Sequence, residues 1–366
     1  MLPNRCDLMR VLVVLTLAAA ACSGVGDSRA SGGSSTSEPI VVGQVEHFWS
    51  HELGEDRLLE IRLPDGYEES TESYPLLVVL DGRSRFRYVA SLLDDLAPHF
   101  LPEMIVVGLP NTHRERDLDP VDTSLGEAGE GAIRFQRFLE KELVPYLDGR
   151  FRTVPIRVLE GHSLAGSFVL QVLFSPHSPF QAFVATSPSL RSQPRVVALR
   201  ERMDQGAPYD GGERFVFLSV GGRELQGLRV GVEDLVEELE RRGVVGWGWH
   251  VEFREYEGEG HVPILGLHEG LRVFFQGWFP FAAFEEQDWT RLVSHYDGLS
   301  ARFGYHVRIP LAIGTTLADQ ILQAGDTLRA LEAFRHLAEE RPEEGSLKRR
   351  IEGVTARGSG ERQVGR

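Results

Sequence analysis

From about residue 43 onward the apolar residues follow two alternating periods. "VEHFWSHEL" and "RLLEIRLP" switch between apolar and polar positions residue by residue, which predicts two antiparallel, half-exposed strands. "PLLVVL" (75–80) and "MIVVGL" (104–109) are apolar throughout, the pattern of central parallel strands covered on both faces. "IRFQRFLEKELVPYL" (133–147) returns to the helical period and predicts one amphipathic helix. Further strands are predicted at "FQAFVAT" (180–186), "RFVFLSV" (214–220) and "WHVEFREY" (249–256), and "VEDLVEELERRG" (232–243) predicts a helix closed by Gly243. Strands alternating with helices imply an α/β domain over residues 41–282, with a mainly parallel central sheet and helices on both faces.

The pattern changes after residue 283, where strand-like runs stop and a small helical region is expected over 283–350. Residues 311–344 resemble one tetratricopeptide repeat at Leu317, Ala318, Ile321, Gly325, Ala330, Phe334, Leu337 and Pro342. One such unit cannot bury its own face, so a helical hairpin packed on the preceding domain is expected; the alternative is a repeat surface that contacts a protein. Residues 351–366 are expected to be disordered.

The first 21 residues read as a secretory signal. Arg5 and Arg10 precede "VLVVLTLAAAA" (11–21), an apolar run too short for a membrane span and ending in small residues. "AAAC" followed by "SG" resembles a bacterial lipoprotein box with lipid on Cys22, although Leu17 stands further from the cysteine than is usual. Residues 22–40 are rich in Gly and Ser and fit a flexible tether. Cys6 would leave with the signal, so the mature chain would hold no internal disulfide. The expected location is the bacterial cell envelope, with membrane contact through the lipid anchor alone. Composition adds little: 42% hydrophobic and 25% charged residues are ordinary for a globular chain of 366 residues. The formal charge of -15 argues against nucleic acid as a partner.

Candidate chemistry centres on "RVLEGHSLAGSFVL" (157–170). A short buried strand leads to Ser163, and Leu164, Phe168 and Val172 continue at helical spacing. A serine at the apex of a strand–turn–helix bend is the form of the α/β-hydrolase nucleophile elbow, with Ala165 in place of the second glycine of G-x-S-x-G. The alternative is a plain turn serine. A serine nucleophile needs a histidine base and an orienting acid, in the chain order serine, acid, histidine on this fold. Glu224 lies in the loop after "RFVFLSV", and His261 in "EGEGHVPI" after "WHVEFREY". Both are at carboxyl ends of strands, where functional residues gather in open α/β sheets. Glu233 and Asp234 compete as acid, but they fall in what reads as the first turn of the next helix, where the dipole favours carboxylates. His250 (in a strand) and His268 (at the start of the domain's last helix) compete with His261, while His162, beside the serine, reads as a packing residue rather than a base. The oxyanion hole needs two N–H donors. These are expected from Leu164 and from Gly82 or Arg83 in "DGRSRF", where the alternative is an ordinary turn at Asp81-Gly82.

Taken together, "LLVVLDG" (76–82), "VVGLPNTHRERDLDP" (106–120), "FLEKELVPYLDGRFRT" (138–153), "GHSLAG" (161–166) and "GEGH" (258–261) resemble the esterase family that includes esterase D and the enterochelin esterases. The resemblance covers residues 45–280. It implies the α/β-hydrolase fold, a small-molecule ester substrate, catalytic Ser163 and His261, and Glu224 in the place of the family acid. It also implies a polar loop of Asn111, Arg114 and Asp117 near the site, and there a structural salt bridge of Arg114 or Arg116 with Asp117 is expected. No cofactor and no metal are expected, since the chain has no HExxH, no cysteine pair, no phosphate loop and no dinucleotide fingerprint. Three activities fit these residues: ester hydrolysis through an acyl-enzyme, acyl transfer on the same triad, or non-catalytic binding in the envelope on a hydrolase scaffold.

Overall fold

The computed structural model describes residues 37–122, 127–191, 193–205, 213–261 and 263–364. The signal-like run, Cys22 and the Gly/Ser-rich stretch through residue 36 lie outside the described residues. The strands are β1 (Gln44–Ser50), β2 (Glu55–Arg62), β3 (Tyr74–Leu80), β4 (Ile105–Leu109), the short pair β5 (Val121–Asp122) and β6 (Glu127–Ala128), then β7 (Thr153–His162), β8 (Ala182–Thr186), β9 (Arg214–Gly221) and β10 (Trp249–Tyr256). Eight of them form one sheet in the order β1-β2-β4-β3-β7-β8-β9-β10. β1 and β2 are antiparallel, β2 meets β4 antiparallel, and all later neighbours are parallel, so the sheet is mixed and mostly parallel.

The helices within and around the sheet are α1 (Gly82–Leu96), α2 (Arg114–Leu118), α3 (Glu130–Phe138), α4 (Val144–Arg150), α5 (Leu164–Leu173), α6 (Gln193–Gln205), α7 (Gln226–Arg241), α8 (Pro263–Phe274) and α9 (Phe281–Glu285). α10 (Trp289–Phe303), α11 (Leu311–Gln323), α12 (Thr327–Glu340) and α13 (Gly345–Val364) follow. Side chains of the central strands alternate between two cores. Leu76, Val78, Ile105, Val107, Val216 and Leu218 join Phe135, Phe168 and Val232 of α3, α5 and α7 on one face. Leu77, Val79, Val106, Val184 and Phe217 join Val89 of α1 and Leu271 of α8 on the other. Burial on both faces is why these strands are apolar at every position. Each such side chain taken from water contributes about 1.5–3 kcal/mol.

The helical tail belongs to the second core. Leu292, Tyr296, Ile313, Leu317 and Phe334 are buried in the same cluster as Val106 and Phe217. α11 and α12 form a hairpin turned at Gly325, whose φ is 93°. Three expectations differ from the structure. The predicted helix over 133–147 contains a π-turn at Leu139–Leu143, next to Pro145, which has no N–H to continue the ladder. The chain from 351 onward is helical through Val364 as part of α13, with Leu347 and Val354 buried against the tail. The helix before Gly243 starts at Gln226, so Glu233 and Asp234 stand in its middle rather than in its first turn. Among the described residues no helix is long and apolar enough to cross a membrane.

Candidate active site

The carboxyl ends of the parallel strands bring the chemistry-bearing residues to one edge of the sheet. Asp81 follows β3, Asn111 and Arg114 follow β4, Ser163 follows β7, Ser187 follows β8, Glu224 follows β9 and His261 follows β10. Ser163 has φ 61° and ψ −120°, a conformation that L residues rarely adopt and that marks a sharp, strained turn. Backbone bonds on both sides hold it. Its N–H donates to the Thr186 carbonyl (3.0 Å), and its carbonyl accepts from the N–H groups of Ser167 (3.1 Å) and Ser189 (3.0 Å). Gly161 makes the tight return possible, because a Cβ there would lie 2.6 Å from the Ala165 backbone.

Glu224 and His261 meet directly. His261 Nδ1 lies 3.0 Å from Glu224 Oε2. The Glu224 side chain is only 2% exposed, while that of His261 is 43% exposed. The other carboxylate oxygen, Oε1, accepts the Gly221 N–H (3.0 Å) and the Ser187 hydroxyl. The His261 ring also lies against that of His162, with centroids 4.3 Å apart, and this sets it beside the elbow. The loops of β9 and β10 touch here: a Cβ on Gly221 would lie 2.1 Å from the Gly260 carbonyl oxygen. Among the described residues no hydrogen bond joins Ser163 Oγ to His261; in unliganded sites such bonds are often long and tighten in the complex. The competing residues are elsewhere. His250 pairs with Glu252 in β10, His268 sits in α8, Glu233 pairs with Arg229 (3.6 Å), and Asp234 is in the middle of α7.

The oxyanion candidates stand at helix N-termini, where N–H groups are not used within the helix. Leu164 opens α5, and Gly82 and Arg83 open α1. Asp81, in the left-handed region at φ 56°, precedes them. Its carboxylate accepts from Asn111 Nδ2 (2.5 Å) and from Arg114 Nε and Nη2 (2.7 and 2.8 Å). Burial opposes ionisation of Asp81, but these hydrogen bonds outweigh it and hold the carboxyl below its usual range. Arg114 therefore anchors the loop after β3, and it is Arg116 that pairs with Asp117, at 2.6 Å. Asp117 is buried and also takes Arg57 Nη1 at 2.6 Å. Asn111, Arg114 and Asp117 thus hold two neighbouring loops through separate partners.

One feature beneath the site left no local trace in the sequence. Arg85 of α1 makes a two-pronged bond with Glu160 of β7, Nε–Oε2 3.1 Å and Nη2–Oε1 2.5 Å, buried three residues before Ser163. Burial pushes the Glu160 carboxyl up, and Arg85 opposes that. His162 is pulled down to about 3, by burial first and then by the neighbouring His261, so its ring stays neutral at working pH. Ser187 was also missed; the only available signal was its place at a strand's carboxyl end, in "TSPS" after β8. Among the described residues no three His, Cys, Asp or Glu gather in a way that would hold a metal ion. A cavity of about 850 Å³ opens at the opposite, amino-terminal end of the strands, between Tyr74, Thr153, Trp278, Tyr305 and Arg341, and holds none of these residues.

The Esterase family model matches residues 50–215. The chain is 29% identical over 217 residues to the ferri-bacillibactin esterase BesA of Bacillus subtilis (strain 168), spanning 52% of this chain and 75% of that protein. It is 27% identical over 169 residues to a siderophore triacetylfusarinine C esterase of Aspergillus fumigatus, spanning 42% of this chain and 58% of that protein. The crystal structure of an IroE-like serine hydrolase from Shewanella oneidensis superposes with a TM-score of 0.62 at 28% identity, covering 80% of this chain and 96% of that one. The chain has the α/β-hydrolase fold, is similar to that esterase family over residues 50–215, and is a carboxylic ester hydrolase.

Proposed function

We propose that the chain hydrolyses esters through an acyl-enzyme on Ser163, with His261 as base and Glu224 as orienting acid. The observation that carries this is the Glu224–His261 contact at 3.0 Å beside the strained Ser163 elbow. In this reading Ser163 Oγ attacks the ester carbonyl while His261 takes its proton. The N–H groups of Leu164 and of Gly82 or Arg83 stabilise the oxyanion. Collapse breaks the bond to the alcohol, which leaves with the proton from His261. Water then repeats the steps, releasing the acid and restoring Ser163. Glu224 holds the ring's tautomer and stabilises the imidazolium as it forms.

The substrate in this reading is an anionic, siderophore-type ester. Two relatives are named for siderophore esters. A second support is electrostatic. Arg83, Arg191 and Arg223 all follow strand ends on the site's edge, are exposed, and make no ion pair among the described residues of a chain with net charge -15. Unpaired guanidiniums suit bidentate capture of carboxylate or catecholate oxygens. The reading includes export and lipidation at Cys22, supported by the apolar run 11–21 ending in small residues; intact-mass measurement of envelope-purified protein tests it.

The test of the triad is a set of variants on one p-nitrophenyl ester. Ser163→Ala should lose at least about 10³-fold in kcat. Glu224→Gln should lose about 10²- to 10⁴-fold with little change in KM, and Asp234→Asn less than about threefold. If Asp234→Asn is the crippled variant, the acid is misassigned. Turnover of ferri-bacillibactin against the p-nitrophenyl ester tests the substrate class; no preference for the siderophore would contradict it.

A further inference from the structure

Ser187 is a non-glycine residue in the left-handed region, at φ 46°. Among the described residues only Asp81, Ser163, Ser187 and Gln287 share this property, and the first three stand on the candidate site's edge. Glycine would adopt this backbone without strain, so a serine here keeps a side chain at a conformational cost. That side chain has a use: its hydroxyl donates to Glu224 Oε1. Ser187 is buried, and its N–H donates to the Ser219 carbonyl of β9 at 2.7 Å. Two residues on, the Ser189 N–H donates to the Ser163 carbonyl. One short turn therefore links the elbow of β7 to the acid loop after β9.

We propose that Ser187 is a positioning residue for ester hydrolysis, fixing Glu224 so that one carboxylate oxygen stays aimed at His261; this rests on the triad reading above. The donor arrangement is lopsided. Gly221 N–H and Ser187 Oγ–H both occupy Oε1, which leaves Oε2 for His261 Nδ1. With the hydroxyl gone, Gly221 N–H alone does not fix the rotation of the carboxylate plane. The Glu224–His261 bond then spends less time in its productive geometry.

Two variants separate the hydroxyl from the turn. Ser187→Gly deletes the hydroxyl and relieves the backbone, whereas Ser187→Ala deletes the hydroxyl and keeps the strain. Both should lose about tenfold in kcat, the low end of what an outer partner of an oriented active-site group costs, with KM within about twofold. Ser187→Gly should melt no lower than the parent, which excludes a folding defect as the cause. Combined with Glu224→Gln, Ser187→Gly should cost almost nothing more, because it acts through Glu224. If Ser187→Gly keeps the kcat of the parent while Ser163→Ala and Glu224→Gln are crippled, Ser187 only shapes the turn and the proposal fails. Additive losses in the double variant would overturn it as well. If Ser163→Ala or Glu224→Gln retains activity, the failure belongs to the triad reading instead.

Discussion

Glu160→Gln and Arg85→Met remove opposite halves of one buried ion pair, and they should destabilise the protein in different ways. Glu160 is 0% exposed and Arg85 6%, and two hydrogen bonds join them. A guanidinium does not give up its proton. Glu160→Gln therefore leaves a buried cation without its counter-charge, at a cost of about 3–5 kcal/mol that hardly changes between pH 5 and 7. Arg85→Met leaves a carboxyl that can escape by binding a proton, and burial already pushes it that way. Neutralising a carboxyl of ordinary value 4.5 costs about 1.4 kcal/mol per pH unit above that value. The limit is about 3.4 kcal/mol at pH 7 and about 0.7 kcal/mol at pH 5. The sign follows from linkage: with its folded value raised above its unfolded one, Glu160 in this variant favours the folded state at low pH and loses that as pH rises. Urea unfolding of the parent and both variants at the two pH values measures this. Arg85→Met should recover about 2–3 kcal/mol relative to the parent on going from pH 7 to 5, and Glu160→Gln should not. Equal, pH-independent losses in the two variants, or a Glu160→Gln loss under about 1 kcal/mol, would refute the reasoning.

Two further outcomes are expected. Gly221→Ala would put a Cβ 2.1 Å from the Gly260 carbonyl oxygen, so it should push the His261 loop outward and cut kcat by about 10²-fold while circular dichroism stays unchanged; a kcat within twofold of the parent would show that the loop does not need this contact. His162 is held at about 3 against an ordinary 6.5, so the unfolded chain binds a proton between those values that the folded chain does not. The stability this contributes is complete above about pH 6.5 and falls as pH drops toward 3, by up to about 1.4 kcal/mol per unit; His162→Phe should flatten that slope in acid unfolding, and an unchanged slope would contradict it.

Much of the sheet was legible because its chemistry is local. "PLLVVL" and "MIVVGL" read as central strands since both faces of β3 and β4 are covered, and "WHVEFREY" matches β10 end to end because an edge strand alternates. Ser163, Glu224 and His261 could be picked out as candidates because each follows a strand within a few residues. What was missed depends on contacts between distant residues. Ser187 is 37 residues from Glu224, Asp81 is 33 from Arg114, and Arg85 is 75 from Glu160, so no window of sequence holds both partners. The start of α7 was hidden by Gly227 and Gly231, poor helix formers; Gly231 is needed where the helix passes the Leu190 carbonyl oxygen, which a Cβ would approach to 2.5 Å. The last helix was obscured by its polar composition, although Leu347, Ile351 and Val354 recur at helical spacing and pack on the tail.

The central claim is that Ser163 is the nucleophile, and covalent labelling tests it most directly. A fluorophosphonate reacts with a serine only where a base and an oxyanion hole activate it. Peptide mass mapping after labelling should find one adduct, on Ser163, reduced by excess ester substrate and absent from Ser163→Ala. An adduct on another residue, or steady ester turnover by protein whose Ser163 stays unlabelled, would contradict the account.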